Sequence, residues 1–353
     1  YGSPIYRGHA PGEDAACVAR LRAAGAIILG KTVTTEFAYY HPGKTRNPHD
    51  PARTPGGSSS GSAAAVGALM VPGAIGSQTN GSVIRPASFC GVVGYKPTHG
   101  LVPRTGVFAL SRTLDHVGVF ARSVVDAALL VEVMAGHDAG DPDTRPRATP
   151  PLAQIAVEAP PRPPRFAFVR TAAWDLVEPG TAAAFARLVA SLGGAIEEVA
   201  LPAITRDAVD LHRTIMDVEM THNLRREHAE GRDRMSGTLR ALIERGRGHL
   251  AVDYRRALDM IRPMNAAIDA AVGAFDAILT PAAPGEAPVG LGSTGNPIFC
   301  SMWTYLGRPA VTVPLLCGPA GMPMGVQLVG RRGDDGRLLR TAHRLASNLA
   351  SRG

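Results

Sequence analysis

The sequence predicts an α/β protein: a mixed, mostly parallel central sheet covered by helices on both faces. Three observations carry that expectation. Short apolar runs of strand length alternate with helical patterns along the whole chain. Residues 166–169, 181–192 and 195–199 read as strand, helix and strand, a βαβ-like unit. A chain of 353 residues with 45% hydrophobic and 19% charged residues has ample material for a core. Aromatic residues make up only 5%, which leaves that core to Ala, Val, Leu and Ile.

Taken in order, the run DAACVARLRAA at 14–24 reads as a helix with Ala16, Val18 and Leu21 on one face and Gly25 as its stop. AIIL at 26–29 reads as a short buried strand. Residues 41–57, dense in Pro, Gly, Asn and Asp, read as loop. The cluster GGSSSGS at 56–62 runs into a small-residue helix, AAAVGALM, at 63–70. An apolar stretch at 71–75 leads to a second cluster, GSQTNGS, at 76–82. Residues 92–96 read as a core strand and 123–135 as a helix. Residues 137–164, rich in Pro and Asp, read as an irregular surface connection. Residues 205–273 are strongly helical and arginine-rich. The tail returns to strands at 277–280, 310–313 and 324–329, with helices at 296–306 and 334–350. No internal repeat is evident. One domain is expected over 1–353. It comprises a core part at 1–136, the connection at 137–164, a mostly helical region at 165–275 and a return to the core at 276–353.

The formal charge of +7 raises the question of a nucleic-acid partner. The arginines are interspersed with acids, as in Arg225-Arg226-Glu227 and Arg232-Asp233-Arg234, and no nucleic-acid-binding signature accompanies them. A solvated, slightly basic exterior is the better reading. The lysines are Lys31, Lys44 and Lys96 alone; the arginine bias, with abundant Ala, Gly and Pro, reads as the codon usage of a GC-rich genome. Cys17, Cys90, Cys300 and Cys317 are scattered without metal or redox spacing, which fits reduced thiols in a cytoplasmic protein. No apolar run of membrane-spanning length and no signal peptide is evident. The chain opens at Tyr1 in mid-motif and reads as a fragment or a processed product.

Ser58 and Ser82, one in each Gly/Ser cluster, lie 24 positions apart, separated by one small-residue helix and one apolar strand. Glycine-rich turns let backbone N–H groups crowd around one point, which is what a tetrahedral oxyanion requires. A phosphate cradle is the alternative, but no G-x-x-x-x-G-K-[ST] pattern is present. Residues 57–61 also match G-x-S-x-G, with Ser59 as the nucleophile of an α/β-hydrolase elbow. That elbow must follow a core strand, and the proline-broken residues 47–56 cannot form one.

The stretches PGGSSSGSAAAV (55–66), GSQTNGSVIRPASFCGVVGYKPT (76–98) and LSRTLDHVG (110–118) together resemble the amidase-signature family. GAIILGKTVTTEFA (25–38), TRNPHDPARTPGG (45–57), LTPAAP (279–284), LGRPAVTVP (306–314) and MPMGVQLVG (322–330) extend the resemblance over nearly the whole chain. The resemblance implies hydrolysis of a carboxylic amide to a carboxylate plus ammonia or an amine, without metal or cofactor. It implies Ser82 as the acylated nucleophile and Ser58 as a bridging serine whose peptide bond is cis. It implies an oxyanion hole built from the backbone N–H groups of Thr79, Asn80, Gly81 and Ser82. Serine is a poor nucleophile without a base. In the family that base is a lysine kept neutral by desolvation.

The chain departs from the family in one large respect. The family lysine sits in a V-K-D strand upstream of the segment resembling residues 1–25. Lys31, in the Gly-Lys-Thr segment, and Lys96, in Lys-Pro-Thr, read as structural, and Lys44 as a loop residue. Asn80 stands where glycine is commonest and is expected to narrow or polarise the acyl pocket; asparagine tolerates left-handed backbone. Gln78 replaces a frequent aspartate. Arg85 and Asp115 are expected to form a buried pair bracing the nucleophile loop. His116, next to Asp115, is poorly placed for a Ser-His-Asp triad. Asn80-Gly81-Ser82 is formally a glycosylation acceptor, discounted without a secretory signal. Trp303 and Tyr305 read as core. His137, Asp138, Asp141 and Asp143 read as solvated loop residues rather than metal ligands.

The substrate expected is a small-molecule amide, with no nucleic acid and no membrane; a homodimer is compatible with this reading. Which amide is not legible, because the family lines its acyl pocket from the variable region, here about 120–300. Two alternatives stand beside this reading. One is the amidase component of a glutamyl-tRNA amidotransferase, which uses the same serines within a complex. The other is a non-catalytic amide-binding homologue, which the absent lysine would permit.

Overall fold

A computed structural model describes residues 1–350; the last three residues of the expected domain and of the expected C-terminal return lie outside the described residues. Eight strands form one sheet: β1 (Gly73–Gln78), β2 (Val93–Lys96), β3 (His116–Ala121), β4 (Phe166–Phe168), β5 (Ile196–Glu198), β6 (Ala277–Pro281), β7 (Ala310–Cys317) and β8 (Pro323–Val329). Their order is β1-β3-β2-β7-β8-β6-β4-β5. The sheet is mixed, as expected. Parallel pairing is confined to β4 with β5 and β6, and the other five neighbours run antiparallel. That antiparallel share exceeds what helix–strand alternation alone suggests, because β7 and β8 pair directly across a short turn, whereas only a crossover such as 169–195 returns a strand in parallel.

Side-chain alternation along the strands builds two cores. On one face Val93, Tyr95, Val117, Val119, Val311 and Leu328 pack with α4 (Val124–Met134) and α12 (Asp335–Ala350). On the other face Ile278, Ala310 and Val329 pack with α7 (Ala208–Asn223), α9 (Gly237–Gly248), α10 (Ala251–Val272) and α11 (Ile298–Tyr305). In β6 the change of face is read residue by residue, Ala277 and Leu279 on the first side and Ile278 on the second. Ser123 caps α4, its hydroxyl accepting from the N–H of Asp126, and this fixes the start of that helix. Trp303 and Tyr305 are buried in α11 as expected. Among the described residues no helix is long and apolar enough to cross a membrane.

Several expectations need correction. Residues 26–29 form no strand: Ile27 is 90% exposed and Leu29 71%, because no neighbouring strand among the described residues pairs with them. Residues 137–164 are not wholly irregular, since α5 (Leu152–Val157) packs against α4 and α12. In the same connection Asp141 is buried, not solvated. Arg104 reaches both of its carboxylate oxygens at 2.9 Å and Asp143 at 2.6 Å. Against the cost of burial, the guanidinium holds the Asp141 carboxyl well below the usual range.

Candidate active site

The first serine loop enters α2 (Ser60–Gly67) at the end of the sheet bearing β1. Ser60 Oγ donates back to the Gly56 carbonyl at 2.8 Å, closing the turn. The Gly57–Ser58 peptide bond is cis, in keeping with the resemblance. A Cβ on Gly57 would lie 2.7 Å from Thr294 Cγ2, so the close approach of residue 294 requires glycine there. The Ser58 carbonyl accepts from the N–H groups of Thr35 (3.1 Å) and Ser60 (2.8 Å), while the buried Ser58 hydroxyl has no hydrogen-bond partner among the described residues.

The second loop joins β1 to α3 (Ile84–Phe89), and Gln78 shapes it. Gln78 Oε1 accepts from the N–H groups of Val83 (2.8 Å) and Ile84 (3.0 Å), and its amide nitrogen donates to Thr304 Oγ1 at 2.9 Å. Asp115, half-buried, accepts from Thr79 Oγ1 at 2.6 Å and from the N–H groups of Leu110 and Ser111 at 2.8 and 2.9 Å. Burial raises its pKa to about 6, with these donors pulling the other way. Gly81 lies against α11: a Cβ there would come within 2.8 Å of Pro297 Cβ.

The peptide groups of this loop are oriented from outside it. His212 Nε2, on α7, donates to the Thr79 carbonyl at 2.9 Å, and Thr304 Oγ1, on α11, donates to the Asn80 carbonyl at 2.5 Å. The Gly81 carbonyl accepts from the N–H of Arg85. Among the described residues no protein acceptor engages the N–H of Thr79, Asn80, Gly81 or Ser82. The Asn80 side chain is itself committed, donating to Tyr40 Oη at 2.8 Å and accepting from Ser301 Oγ at 2.7 Å. Ser82 is buried, with 7% of its surface exposed, and no hydrogen bond from the described residues holds its hydroxyl.

The expected Arg85–Asp115 pair does not form. Arg85 instead bridges the two loops: its guanidinium donates to the carbonyls of Gly57 (2.7 Å) and Gly295 (2.8 Å) and to Thr294 Oγ1. Asp115 is saturated by hydroxyl and amide donors on its own side. Fully buried and without a carboxylate partner among the described residues, Arg85 has its pKa drawn down by desolvation. The loops are also tied by Ser59 Oγ, which accepts from the N–H of Ser77 at 3.2 Å. The structure therefore brings the two serine loops side by side, but no hydrogen bond joins Ser58 Oγ to Ser82 Oγ.

None of the lysines is hydrogen-bonded to either serine. Lys31 is exposed and sits over the Tyr1 ring, and Lys44 is exposed in its loop. Lys96 is buried and donates to the Arg308 carbonyl, its pKa lowered to about 7 by desolvation. His116 turns Nδ1 to the Leu114 carbonyl at 2.6 Å, not to a serine. Among the described residues no group of three or more His, Cys, Asp or Glu could hold a metal ion. Sequence reasoning missed His212, Thr304, Tyr40 and Ser301. A lone histidine 133 positions from its partner carries no local signal.

The chain is similar in sequence and fold to proteins already known. A family model described as Amidase matches residues 1–339. A glutamyl-tRNA(Gln) amidotransferase component from Thermus thermophilus is 36% identical over 97% of this chain and 79% of its own length. The protein of the same name from Thermotoga maritima is 34% identical over 95% of this chain and 78% of its own. Among solved structures, 6-aminohexanoate cyclic dimer hydrolase superposes with a TM-score of 0.86 at 31% identity, covering 97% of this chain and 79% of that one. Native peptide amidase from Stenotrophomonas maltophilia gives 0.84 at 29% identity, covering 99% and 79%.

Proposed function

Because the chain belongs to the Amidase family of amide-hydrolysing enzymes, we propose that it cleaves its amide through a serine acyl-enzyme, with Ser82 as nucleophile and Ser58 as proton carrier. One observation carries this reading: four consecutive N–H groups, Thr79 to Ser82, are left without acceptors among the described residues, on a loop tied through Arg85 and Ser77 to the loop that holds the buried, unpartnered hydroxyl of Ser58. In the proposed reaction Ser82 Oγ attacks the amide carbon and its proton leaves by way of Ser58. The carbonyl oxygen becomes an oxyanion facing the 79–82 amides. The C–N bond then breaks, Ser58 returns the proton to the departing nitrogen, and water hydrolyses the ester. The uncompensated charge of Arg85 favours the anionic intermediate from the side of Gly57.

The base belongs to the proposal as well: a lysine of the V-K-D kind, supplied by residues preceding Tyr1. The lack of any hydrogen bond between Lys31, Lys44 or Lys96 and the serines supports an outside source. A fluorophosphonate probe tests the assignment on the chain extended by its natural upstream sequence. Labelling of Ser82 that Ser82→Ala abolishes is the expected result; labelling elsewhere, or none, overturns it.

The sequence relatives favour one biological setting, the amidase component of a glutamyl-tRNA amidotransferase, because glutamyl-tRNA(Gln) amidotransferase is the name they carry. The solved hydrolase and peptide amidase, with TM-scores of 0.86 and 0.84, support a free-standing amidase. Both settings use the same serine chemistry. Co-purification with further amidotransferase components supports the first, and turnover of simple amides by the chain alone supports the second. A cytoplasmic location is part of the proposal, supported by the four free cysteines.

A further inference from the structure

We infer that His212, on helix α7, is a positioning residue that aims the Asn80 N–H at the developing oxyanion, with Thr304 doing the same for the Gly81 N–H. The inference rests on the serine acyl-enzyme reading above. In a trans peptide the carbonyl of one residue and the N–H of the next point in opposite directions. A donor that fixes the Thr79 carbonyl therefore fixes the Asn80 N–H, and a donor on the Asn80 carbonyl fixes the Gly81 N–H. The structure supplies both donors, His212 Nε2 at 2.9 Å and Thr304 Oγ1 at 2.5 Å.

Three features make this more than packing. First, a carbonyl can only accept, so Nε2 must carry the proton. Burial lowers the His212 pKa to about 4, which keeps the ring neutral and in one tautomer at neutral pH. Second, a hydrogen bond received at a carbonyl polarises its peptide and strengthens the N–H on the far side. Third, the two donors come from different elements, α7 and α11, and α7 also packs against α11 and α9. The acyl-pocket region of the chain thus reaches the peptide groups of the nucleophile loop directly. The charged and titratable groups acting on the ring are Asp217, which favours its protonated form, and Arg213, which opposes it.

The experiment uses the chain with its natural upstream residues and compares wild type, His212→Leu, His212→Gln and Ser82→Ala. The second-order rate of fluorophosphonate labelling is the first readout. His212→Leu is expected to label roughly 100-fold more slowly, the scale for losing one oxyanion donor. His212→Gln, which can present its amide N–H where Nε2 stood, is expected to recover most of that loss. The second readout is the amide ¹H and ¹⁵N shift of Asn80, selectively labelled: it should move in His212→Leu and return toward wild type in His212→Gln. Wild-type labelling rates in a folded His212→Leu, or a failure of Gln to recover the rate, overturns the positioning role and leaves the serine assignment standing. If His212→Leu does not fold, the His212→Gln rate and shift decide alone, and a rate reduced as far as roughly 100-fold overturns it. Absence of Ser82 labelling in wild type overturns both.

Discussion

Residues 56–60 and 79–82 form the two serine loops, and they dispose of their polar groups in opposite ways. In the first, the carbonyls of Gly56, Gly57 and Ser58 are all spent, on Ser60, on Arg85 and on the N–H groups of Thr35 and Ser60, and the Ser58 hydroxyl is left over. In the second, the side chains and carbonyls of Thr79 and Asn80 are spent, on Asp115, Tyr40, Ser301, His212 and Thr304, and the backbone N–H groups are left over together with the Ser82 hydroxyl. A buried polar group without a partner costs about 1–3 kcal/mol. In the proposed mechanism each loop carries that cost where the other can make use of it: one offers a proton carrier, the other a row of donors. Arg85 keeps the arrangement in register by holding Gly57 from the helix that follows Ser82.

The largest test of this division is Ser82→Ala, which should lower amide turnover by about 10⁴-fold or more and leave the thermal midpoint nearly unchanged. Ser58→Ala should cost less, about 10²–10⁴-fold, the range for a positioned proton carrier. Slow labelling of Ser82 should survive, because the donors on the other loop are untouched. Equal losses in the two variants, in labelling as well as turnover, would erase the distinction between the loops.

Two groups flanking the second loop should pull stability in opposite directions with pH. His212 has its pKa lowered from 6.5 to about 4, so the native state binds fewer protons than the unfolded chain in that window. Its contribution is complete above pH 6.5 and is lost as pH falls through about 4, amounting to about 3 kcal/mol. Asp115 is raised from 3.8 to about 6, so its contribution is complete below 3.8 and is lost as pH rises through about 6. In urea titrations across that range, His212→Gln should make stability fall more steeply, or rise less, with pH. Asp115→Asn should make it rise more steeply. Slopes changing the same way would mean that one of the two is not titrating as its burial dictates. The smallest effect expected is that of Tyr40→Phe, which removes one acceptor from the Asn80 amide and should cost about 1 kcal/mol.

Much of the scaffold was legible because burial imposes a period. Helices 124–134, 179–192 and 335–350 and strands 93–96 and 277–281 lie within a few residues of where apolar spacing puts them. Two short elements were not legible. α3 has six residues with Pro86 inside, and β3, HVGVFA, is buried throughout and follows directly on a motif read for its chemistry. AIIL at 26–29 has the composition of a strand, but strand preference expresses fit to a half-buried surface, and among the described residues no partner strand supplies one. At the site, both serine loops could be located from composition, whereas the direction of a side chain could not. Arg85 and Asp115 have complementary charge, yet Arg85 donates to Gly57, Thr294 and Gly295 while Asp115 accepts from Thr79, Leu110 and Ser111.

The end of the sheet where β1 lies has a consequence for the chain as a material. β1 is a terminal strand, the Leu69 and Met70 side chains that lead into it are 68% and 74% exposed, and Ile27 and Leu29 project into water on the segment that runs to Val33 beside α2. Apolar side chains and unpaired strand groups side by side make an adhesive margin. Salting agents that strengthen apolar association should cloud a solution of this chain well before they disturb either core.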